Sequence, residues 1–325
     1  MSSTFNRSVL VTGGTTGLGF NCATVIAREH PDYQIIIASR SDPNASADAI
    51  NQLLGQMNVK FVKLDLSSLS KVRSFVADWK DHRFPPIQSL VLNAALQFPG
   101  EAEYTEDGFE KTFAISHVGH ALLFFLLTPH LADHARVVNV ASGVHDPQQK
   151  TGLPDANYIS AEELAHPPLA LAKANGRQHY TNTKLANVLY TYALHRRFQS
   201  IKESTGKNWT VTAFDPGLMP GTGLARDASR VEKFIWFRIL PCITPLLRLF
   251  LSPNVHTAQV SGNCLAQLAI ASDVDGVSGV YFEGNKKIKS SQASYDESKQ
   301  EDLWQWTIGT LAQSEEEKNA FSMVG

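Results

Sequence analysis

The segment SVLVTGGTTGLG, residues 8–19, decides the fold class. Its first five residues form a short run rich in apolar and β-branched side chains, which is typical of a strand buried on both faces. A glycine-rich turn follows at once, and a helical pattern then runs from Phe20 to Arg28. A buried strand, a tight turn and a helix in this order predict the first βαβ unit of a doubly wound sheet.

Similar short apolar runs recur along the chain and alternate with segments of helical length. They are QIIIAS at 34–39, VKFVKL at 59–64, SLVLN at 89–93, RVVNVAS at 136–142, WTVTAF at 209–214 and VSGVYF at 277–282. The last of these is predicted to be the final strand. The pattern predicts an α/β protein with one doubly wound parallel sheet, a Rossmann fold, in a single domain over residues 1–325. Two segments interrupt it, a polar insertion at 143–178 and an irregular stretch at 217–252.

The composition excludes several classes of protein. A formal net charge of −2 offers no basic field for nucleic acid. The three cysteines are odd in number, far apart and without C-x-x-C spacing, so neither a disulfide framework nor a zinc site is expected. The first strand begins too early for a signal peptide to precede it, and no run of 18 or more apolar residues predicts a membrane span. A reducing, cytoplasmic location is therefore expected.

The glycine-rich turn predicts a nucleotide site. Glycines spaced as G-x-x-x-G-x-G let the backbone approach a pyrophosphate, and the following helix directs its free N–H groups and positive dipole end towards it. Because the turn lies between a buried strand and a helix, a dinucleotide site is favoured over an ordinary tight turn. The residues predicted to contact the cofactor here are Gly13, Thr15, Thr16, Gly17, Leu18 and Gly19.

The end of the second predicted strand selects the cofactor. Ser39 and Arg40 lie there, about 20 residues beyond the glycine turn. A guanidinium matches a phosphate group with two parallel hydrogen bonds, and a serine hydroxyl can add a third. These residues predict NADP(H). Asp42, two residues further on, could instead bind the ribose hydroxyls of NAD.

A tyrosine and a lysine four residues apart, Tyr180 and Lys184, are predicted to share one helix face. The lysine cation should lower the pKa of the phenol and suit it to proton transfer. A second Tyr-x-x-x-Lys match, Tyr295 to Lys299, lies beyond the last predicted strand. Tyr180 instead opens the helix before the sixth strand, and Ser142 ends the fifth, at the sheet edge where ligands bind. The alternative for Tyr180 and Lys184 is an exposed pair on a helix surface. The alternative for Ser142 is a serine that caps a helix or lies in a turn.

Seven segments in order carry a family resemblance. They are VTGGTTGLG (11–19), KLDLSSL (63–69), LVLNAA (90–95), FAISHVGH (113–120), VVNVASG (137–143), YTNTK (180–184) and DPGLMPGTGL (215–224). With them the chain resembles the short-chain dehydrogenase/reductase family, in particular the branch that holds retinol dehydrogenases and light-dependent protochlorophyllide reductases.

The resemblance implies roles for individual residues. Ser142, Tyr180 and Lys184 would be the catalytic core, with Tyr180 as the acid/base and Lys184 as its modulator, both also touching the cofactor. The other implied cofactor contacts are Asp65 and Leu66 at the adenine, Asn93 and Ala94 at the ribose, Pro216 and Gly217 beside the nicotinamide, and Thr222 at its carboxamide.

One position departs from the family pattern. Ser116 stands where relatives usually carry an asparagine that holds a water in a proton relay to the lysine. A serine hydroxyl is shorter but can still donate and accept, so Ser116 is kept as a catalytic candidate. His117 and His120 are three residues apart, but they lack a third ligand and are expected to pack a helix; no metal site is predicted.

These observations predict an NADPH-dependent reductase. Hydride would pass to a carbonyl carbon, or return from an alcohol in the reverse direction, while Ser142 and Tyr180 bind and protonate the oxygen. Two alternatives remain. One is an NADP(H)-binding sensor or scaffold with little turnover, suggested by Ser116. The other is reduction of a C=C bond on the same fold.

The apolar stretch FIWFRILPCITPLLRLFL, residues 234–251, is predicted to be a substrate lid within 217–252. Such a lid predicts a bulky, hydrophobic carbonyl or alcohol substrate. Peripheral contact with a membrane is the alternative, because Lys233, Arg238 and Arg248 flank or interrupt the stretch as in interfacial helices. Ordinary core packing is the third interpretation.

The sequence leaves open whether the protein forms a homodimer through the helix at 180–197, because the long insertions could block that surface.

Overall fold

The computed structural model describes residues 5–173, 175–223, 229–250 and 252–322. Within these residues eight strands form one sheet in the order β3-β2-β1-β4-β5-β6-β7-β8. They are β1 Arg7–Thr12, β2 Tyr33–Ser39, β3 Val59–Lys63, β4 Ile87–Leu92, β5 Leu131–Val140, β6 Thr210–Asp215, β7 Val280–Glu283 and β8 Lys286–Ile288. Neighbouring strands from β3 to β7 are parallel, which confirms the predicted doubly wound fold.

The far edge of the sheet differs from the prediction. The strand expected at 277–282 begins only at Val280, and it is not the last one. After a two-residue turn the chain reverses into β8, which pairs antiparallel with β7. β8 has three residues and two of them are exposed lysines, so it carries no apolar run that a sequence pattern would reveal.

Helices cover both faces of the sheet. They are α1 Gly17–Glu29, α2 Ser46–Leu54, α3 Leu69–His82, α4 Lys111–Phe113, α5 Gly119–Leu127, α6 Ala161–Ala165, α7 Leu169–Ala172, α8 Gly176–Thr205, α9 Arg230–Phe234, α10 Thr244–Phe250, α11 Ala258–Ile270, α12 Glu297–Leu311 and α13 Glu315–Ser322. A π-helical turn at Ala114–Val118 joins α4 to α5. Strand residues alternate between two cores. Leu10 packs with α3, α5, α8 and α12, whereas Val9 and Val11 pack with α1 and α11 on the opposite face.

One helical segment, Lys111–His130, is long and apolar enough to cross a membrane by composition, with a mean hydropathy of 1.4. However, 83% of its most apolar window is buried inside the protein. Phe113, Leu122 and Phe124 in this segment are fully buried in the larger core. A core helix of this kind meets the same length and hydropathy criteria, so its place in the fold accounts for its composition.

The insertion between β5 and α8 packs against α12. Asp302 of α12 accepts hydrogen bonds from the Tyr158 hydroxyl at 2.6 Å and from the Ala161 backbone N–H at 2.8 Å. α12 also packs along α8, and every residue of α8 from His179 to Leu194 is buried within the chain. A homodimer would therefore have to use a surface other than this part of α8.

Candidate active site

A cavity of about 710 Å³ opens at the carboxyl ends of the central strands, within the size range of small-molecule sites. Its walls come from the glycine turn, the ends of β2, β4, β5 and β6, the start of α8 and the 217–252 stretch. Most of the predicted site residues line it: Gly13, Thr15, Thr16, Gly17, Leu18, Ser39, Arg40, Asp65, Leu66, Asn93, Ala94, Ser142, Tyr180, Lys184, Pro216, Gly217 and Thr222. Gly19 and Ser116 lie outside its walls.

The glycine turn is shaped to approach a phosphate closely. Gly17 adopts a left-handed φ of +56°, which strains any side chain. Gly19 faces the backbone of the turn, where a Cβ would lie 2.5 Å from the Gly13 carbonyl oxygen. Thr16 precedes α1, its side chain makes no capping hydrogen bond, and the first turn carries no acidic residue. The uncapped N–H groups at this end of α1 therefore fit an anionic ligand such as a pyrophosphate.

Asn93 stabilises the turn from behind. Its side-chain amide donates to the Thr12 carbonyl oxygen at 2.7 Å, and its backbone N–H donates to the Thr12 hydroxyl at 2.9 Å. The same hydroxyl lies 2.8 Å from Nε2 of His120. Thr12 and His120 were not predicted as site residues. Their hydrogen bond joins positions 108 residues apart, and no local sequence signal indicates it.

The end of β2 places a cation and a hydroxyl at the edge of the cavity. Arg40 is exposed and forms no ion pair with any residue that the structure describes. Ser39 accepts a hydrogen bond from the Thr15 hydroxyl at 3.1 Å, which ties β2 to the glycine turn. Asp42 instead accepts from the backbone N–H of Ser46 at 2.7 Å, at the start of α2. Asp42 does not line the cavity, so its alternative role as a ribose ligand receives no support.

Asp65 lies on the cavity wall at the predicted adenine position. Its carboxylate accepts from Ser67 and from the Lys71 ammonium at 3.1 Å. Partial burial opposes ionisation, but these hydrogen bonds hold the pKa of Asp65 below its usual value. The group is therefore an ordered acceptor at neutral pH, which suits an exocyclic amino group.

Ser142, Tyr180 and Lys184 meet on one side of the cavity. Ser142 follows β5, and Tyr180 and Lys184 lie one turn apart on α8, with the Lys184 Nζ 5.6 Å from the centre of the Tyr180 ring. The two α8 side chains are almost completely buried, at 6% and 2% exposure. Lys184 donates to the carbonyl oxygen of Val140 at 2.9 Å, which orients its ammonium near the Tyr180 ring.

The protonation states differ from the sequence-based expectation. Burial raises the pKa of Tyr180 well above its usual value, the Asp215 carboxylate adds to the rise, and the Ser142 hydroxyl opposes it. Burial also lowers the pKa of Lys184 to about 8, partly offset by Asp215. Burial and a nearby carboxylate thus outweigh the expected lowering of the Tyr180 pKa by Lys184.

Two further candidates do not join the site. The Ser116 hydroxyl is buried and has no hydrogen-bond partner, Lys184 included, among the residues that the structure describes. The relay predicted through Ser116 is thus unsupported. Tyr295 lies in a 3₁₀ turn before α12 and stacks on Tyr192, so it does not share a helix face with Lys299.

The two histidines of the FAISHVGH segment pack the core. His117 lies 2.9 Å from the Thr307 hydroxyl and stacks on Phe113. Burial lowers the pKa of His117 to about 3 and that of His120 to about 4, so both are neutral at physiological pH. Within residues 5–173, 175–223, 229–250 and 252–322, no group of three or more His, Cys, Asp or Glu residues could hold a metal ion.

The 217–252 stretch forms one wall of the cavity, although residues 224–228 and 251 lie outside the described part of the chain. Ile235, Trp236 and Leu240 line the cavity. The Trp236 indole N–H donates to the Thr222 carbonyl oxygen at 2.8 Å. No residue of α9, α10 or the turns between them is buried, so the core-packing interpretation of 234–251 is wrong for its described residues.

Comparison with known proteins identifies the family. Residues 7–152 match the model for short chain dehydrogenases. Polyprenol dehydrogenase from Homo sapiens is 30% identical over 92% of this chain and 83% of its own length. The chain belongs to the short-chain dehydrogenase/reductase family. Protochlorophyllide reductase from Daucus carota is 31% identical over 92% of this chain and 76% of its own length. This confirms the resemblance to the branch that contains protochlorophyllide reductases.

The solved structures agree on the fold. An uncharacterised protein from Mycobacterium paratuberculosis superposes with a TM-score of 0.64 at 24% identity, covering 95% of this chain and 94% of that one. As a short-chain dehydrogenase/reductase, the protein is an oxidoreductase that transfers hydride with a nicotinamide cofactor. It acts on a small substrate.

Proposed function

We propose that this short-chain dehydrogenase/reductase uses NADPH to reduce the carbonyl group of a bulky hydrophobic molecule, or catalyses the reverse oxidation of the alcohol. One observation carries the proposal: Ser142, Tyr180 and Lys184 line the same cavity as the glycine turn. A proton donor, a hydroxyl for the carbonyl oxygen and a cation therefore lie within reach of a cofactor bound at α1.

Each catalytic side chain has a distinct task in this proposal. When bound, reduced nicotinamide supplies the hydride for the carbonyl carbon. The Ser142 hydroxyl donates a hydrogen bond to the carbonyl oxygen, and the Tyr180 hydroxyl gives that oxygen its proton as negative charge develops. The Lys184 ammonium would bind the nicotinamide ribose hydroxyls and supplies positive charge near the phenol. Pro216, Gly217 and Thr222 would hold the nicotinamide side, and Gly13 to Gly19 would hold the pyrophosphate.

The preference for NADP(H) is supported by Arg40. Its guanidinium is exposed at the cavity edge without an ion-pair partner in the described part of the chain, while Asp42 is engaged at the start of α2. A 2′-phosphate would supply the missing anion, and Ser39 would add a hydroxyl donor. A cofactor without this phosphate would leave Arg40 unmatched.

The apolar wall supports a hydrophobic substrate. Ile235, Trp236 and Leu240 face the cavity from the lid side, and Leu96 and Leu153 add apolar surface elsewhere on its wall. The relative named polyprenol dehydrogenase acts, by its name, on polyprenol, an alcohol with a large apolar body. We therefore assign ketones, aldehydes or alcohols with a large apolar body as the substrate class.

The test is a panel of ketones and aldehydes of increasing apolar size, with NADPH oxidation followed by absorbance. Turnover that improves with apolar size supports the proposal. NADPH binding without turnover on any member would favour the sensor or scaffold alternative. A tetrapyrrole bound to the purified protein, together with reduction of a C=C bond, would favour the remaining alternative.

We propose further that the outer face of the lid segment rests on a lipid surface of an otherwise cytoplasmic protein. Leu249 and Phe250 are 74% and 80% exposed. Other exposed apolar side chains of this segment, apart from the cavity wall, are Val231, Phe234, Phe237, Ile239 and Leu246. Residues 229–250 contain four basic residues and one acidic residue, in a chain whose net charge is −2. Apolar side chains interspersed with cations favour an anionic membrane surface.

Sedimentation with vesicles containing phosphatidylserine tests the lipid contact. The protein should move to the pellet, and the double variant Leu249→Glu/Phe250→Glu should reduce the bound fraction severalfold, because it places two carboxylates on the apolar face. Met57→Glu is the matched control, since Met57 is an apolar side chain with 82% exposure on another surface. Full recovery of the unaltered protein in the supernatant would refute membrane contact and leave the segment as a lid alone.

A further inference from the structure

Asp215, the last residue of β6, is a buried carboxylate inside the active site that has no role in the mechanism above. It is 1% exposed yet lines the cavity. Its carboxylate accepts hydrogen bonds from the Gly217 backbone N–H at 3.0 Å and from the Asn254 side-chain amide at 2.8 Å. The backbone N–H of Gly143 is a third donor. Three N–H donors stabilise the ionised form of this carboxyl group and oppose the effect of burial.

These donors belong to three segments that shape the site. Gly143 follows the catalytic Ser142, Gly217 belongs to the loop predicted to pass beside the nicotinamide, and Asn254 follows the lid. The last two segments are also paired directly, because the Leu218 N–H donates to the Asn254 carbonyl oxygen at 2.9 Å. Hydrogen bonds to Asp215 thus connect three segments: the turn after Ser142, the nicotinamide-side loop and the end of the lid.

The surroundings of Asp215 also define its electrostatic effect. Tyr180 and Lys184 of α8 line the same cavity as Asp215, and Glu283 of β7 is its neighbour across the strand pair. Tyr281 of β7 also interacts with it electrostatically. Burial raises the pKa of Asp215, its three hydrogen bonds limit the rise, and Glu283 adds to it. Asp215 in turn raises the pKa of both Tyr180 and Lys184. A negative charge favours the protonated form of each neighbour. Loss of a proton from Tyr180 would create a second anion beside Asp215, and loss of a proton from Lys184 would remove a cation.

We propose that Asp215 is a positioning residue that connects the turn after Ser142 to the nicotinamide-side loop and supplies a buried negative charge beside Tyr180 and Lys184. The inference rests on the proposed function in one respect, since Tyr180 must act as the proton donor. Its consequence is that carbonyl reduction stays active into the alkaline range. Without this charge, whichever of Tyr180 and Lys184 limits the reaction should lose its proton at a lower pH.

Asp215→Asn removes the charge and keeps the shape of the side chain. We expect NADPH affinity to stay within about threefold, kcat for reduction to fall, and the alkaline limb of its pH profile to move down by about one pH unit or more. The direction is the same whether Tyr180 or Lys184 titrates in that limb. Asn254→Ala is the control, because it removes one hydrogen bond to Asp215 but retains the charge, and its alkaline limb should stay in place.

An alkaline limb that coincides in Asp215→Asn and the unaltered protein would overturn the electrostatic role, and unchanged kcat would overturn the positioning role. If the asparagine variant does not fold, Asp215→Ser provides a smaller neutral side chain for the same comparison. A direct measurement follows the ionisation of Tyr180 in the unaltered protein and in Asp215→Asn, where the phenolate should form at lower pH. Ultraviolet difference titration of the unaltered protein against Tyr180→Phe should show no phenolate from Tyr180 below about pH 10, the ordinary tyrosine value.

This titration also separates the inference from the proposed function. It reads the ionisation of Tyr180 directly and needs no turnover. If the carbonyl panel fails but the Tyr180 phenolate forms at a lower pH in Asp215→Asn than in the unaltered protein, the proposed reaction is wrong and the effect of Asp215 stands. A phenolate that appears below the ordinary range in the unaltered protein would overturn the electrostatic role even if carbonyl reduction is confirmed.

Discussion

Tyr180→Phe is expected to reduce kcat for carbonyl reduction by about 10³-fold while NADPH affinity changes by no more than a few-fold. The phenol is the proton donor of the proposed reaction, and loss of a positioned general acid costs about 10²- to 10⁴-fold. The ring itself is buried and keeps its packing in the variant, because only the hydroxyl is removed. Steady-state kinetics with the best ketone of the panel, together with NADPH titration by fluorescence, measures both quantities.

The chain supplies a matched control for this variant. Tyr295 belongs to the second Tyr-x-x-x-Lys match but lies outside the cavity, so Tyr295→Phe should leave kcat within about twofold. The interpretation fails if Tyr180→Phe retains full activity, or if both tyrosine variants lose activity to the same extent. A parallel loss of NADPH affinity in Tyr180→Phe would point to a disturbed cavity rather than to a missing proton donor.

Arg40→Asp is expected to lower kcat/KM with NADPH by about 10²-fold while the value with NADH stays level or rises. Each hydrogen bond from a guanidinium to a phosphate contributes about 1.5–3 kcal/mol, and a carboxylate at this position would repel the phosphate. The same carboxylate could accept hydrogen bonds from the ribose hydroxyls of NADH. The ratio of the two kcat/KM values, measured with one ketone, isolates the effect on cofactor choice.

Arg28→Asp makes the same change of charge on an exposed surface away from the cavity. It should leave the ratio unchanged, which controls for any effect of net charge. An unchanged ratio in Arg40→Asp would exclude the proposed phosphate contact. An equal fall in kcat/KM with NADPH and with NADH would instead indicate damage to the glycine turn. The hydrogen bond between Thr15 and Ser39 connects this turn to the end of β2.

The parts of the fold that were predictable depend on local patterns. The apolar runs around Val9 and Ile36 mark buried strands because both faces of a parallel sheet are covered by helices. The glycine turn was predictable because its spacing reflects backbone geometry, as the left-handed Gly17 shows. The start of α1 was placed three residues late because the glycines of the turn also form its first residues.

The features that were missed depend on contacts between distant segments. Asp215 stands in the quoted DPG segment, but its role arises only when Gly143 and Asn254 come together around it. The raised pKa of Tyr180 likewise follows from burial, which the Tyr-x-x-x-Lys spacing does not indicate. The lid was predicted as one apolar unit, whereas the structure divides it into a cavity wall that includes Trp236 and an outer face that includes Phe250.

The short strand β8 has a consequence for colloidal behaviour. A sheet ends in unpaired N–H and C=O groups that can recruit a strand from another molecule and seed aggregation. At one end β8 offers only three residues and presents the exposed Lys286 and Lys287. At the other end β3 presents the exposed Lys60 and Lys63. Bringing two copies together edge to edge would crowd these lysines, so the protein is protected against growth into extended intermolecular sheets at high concentration.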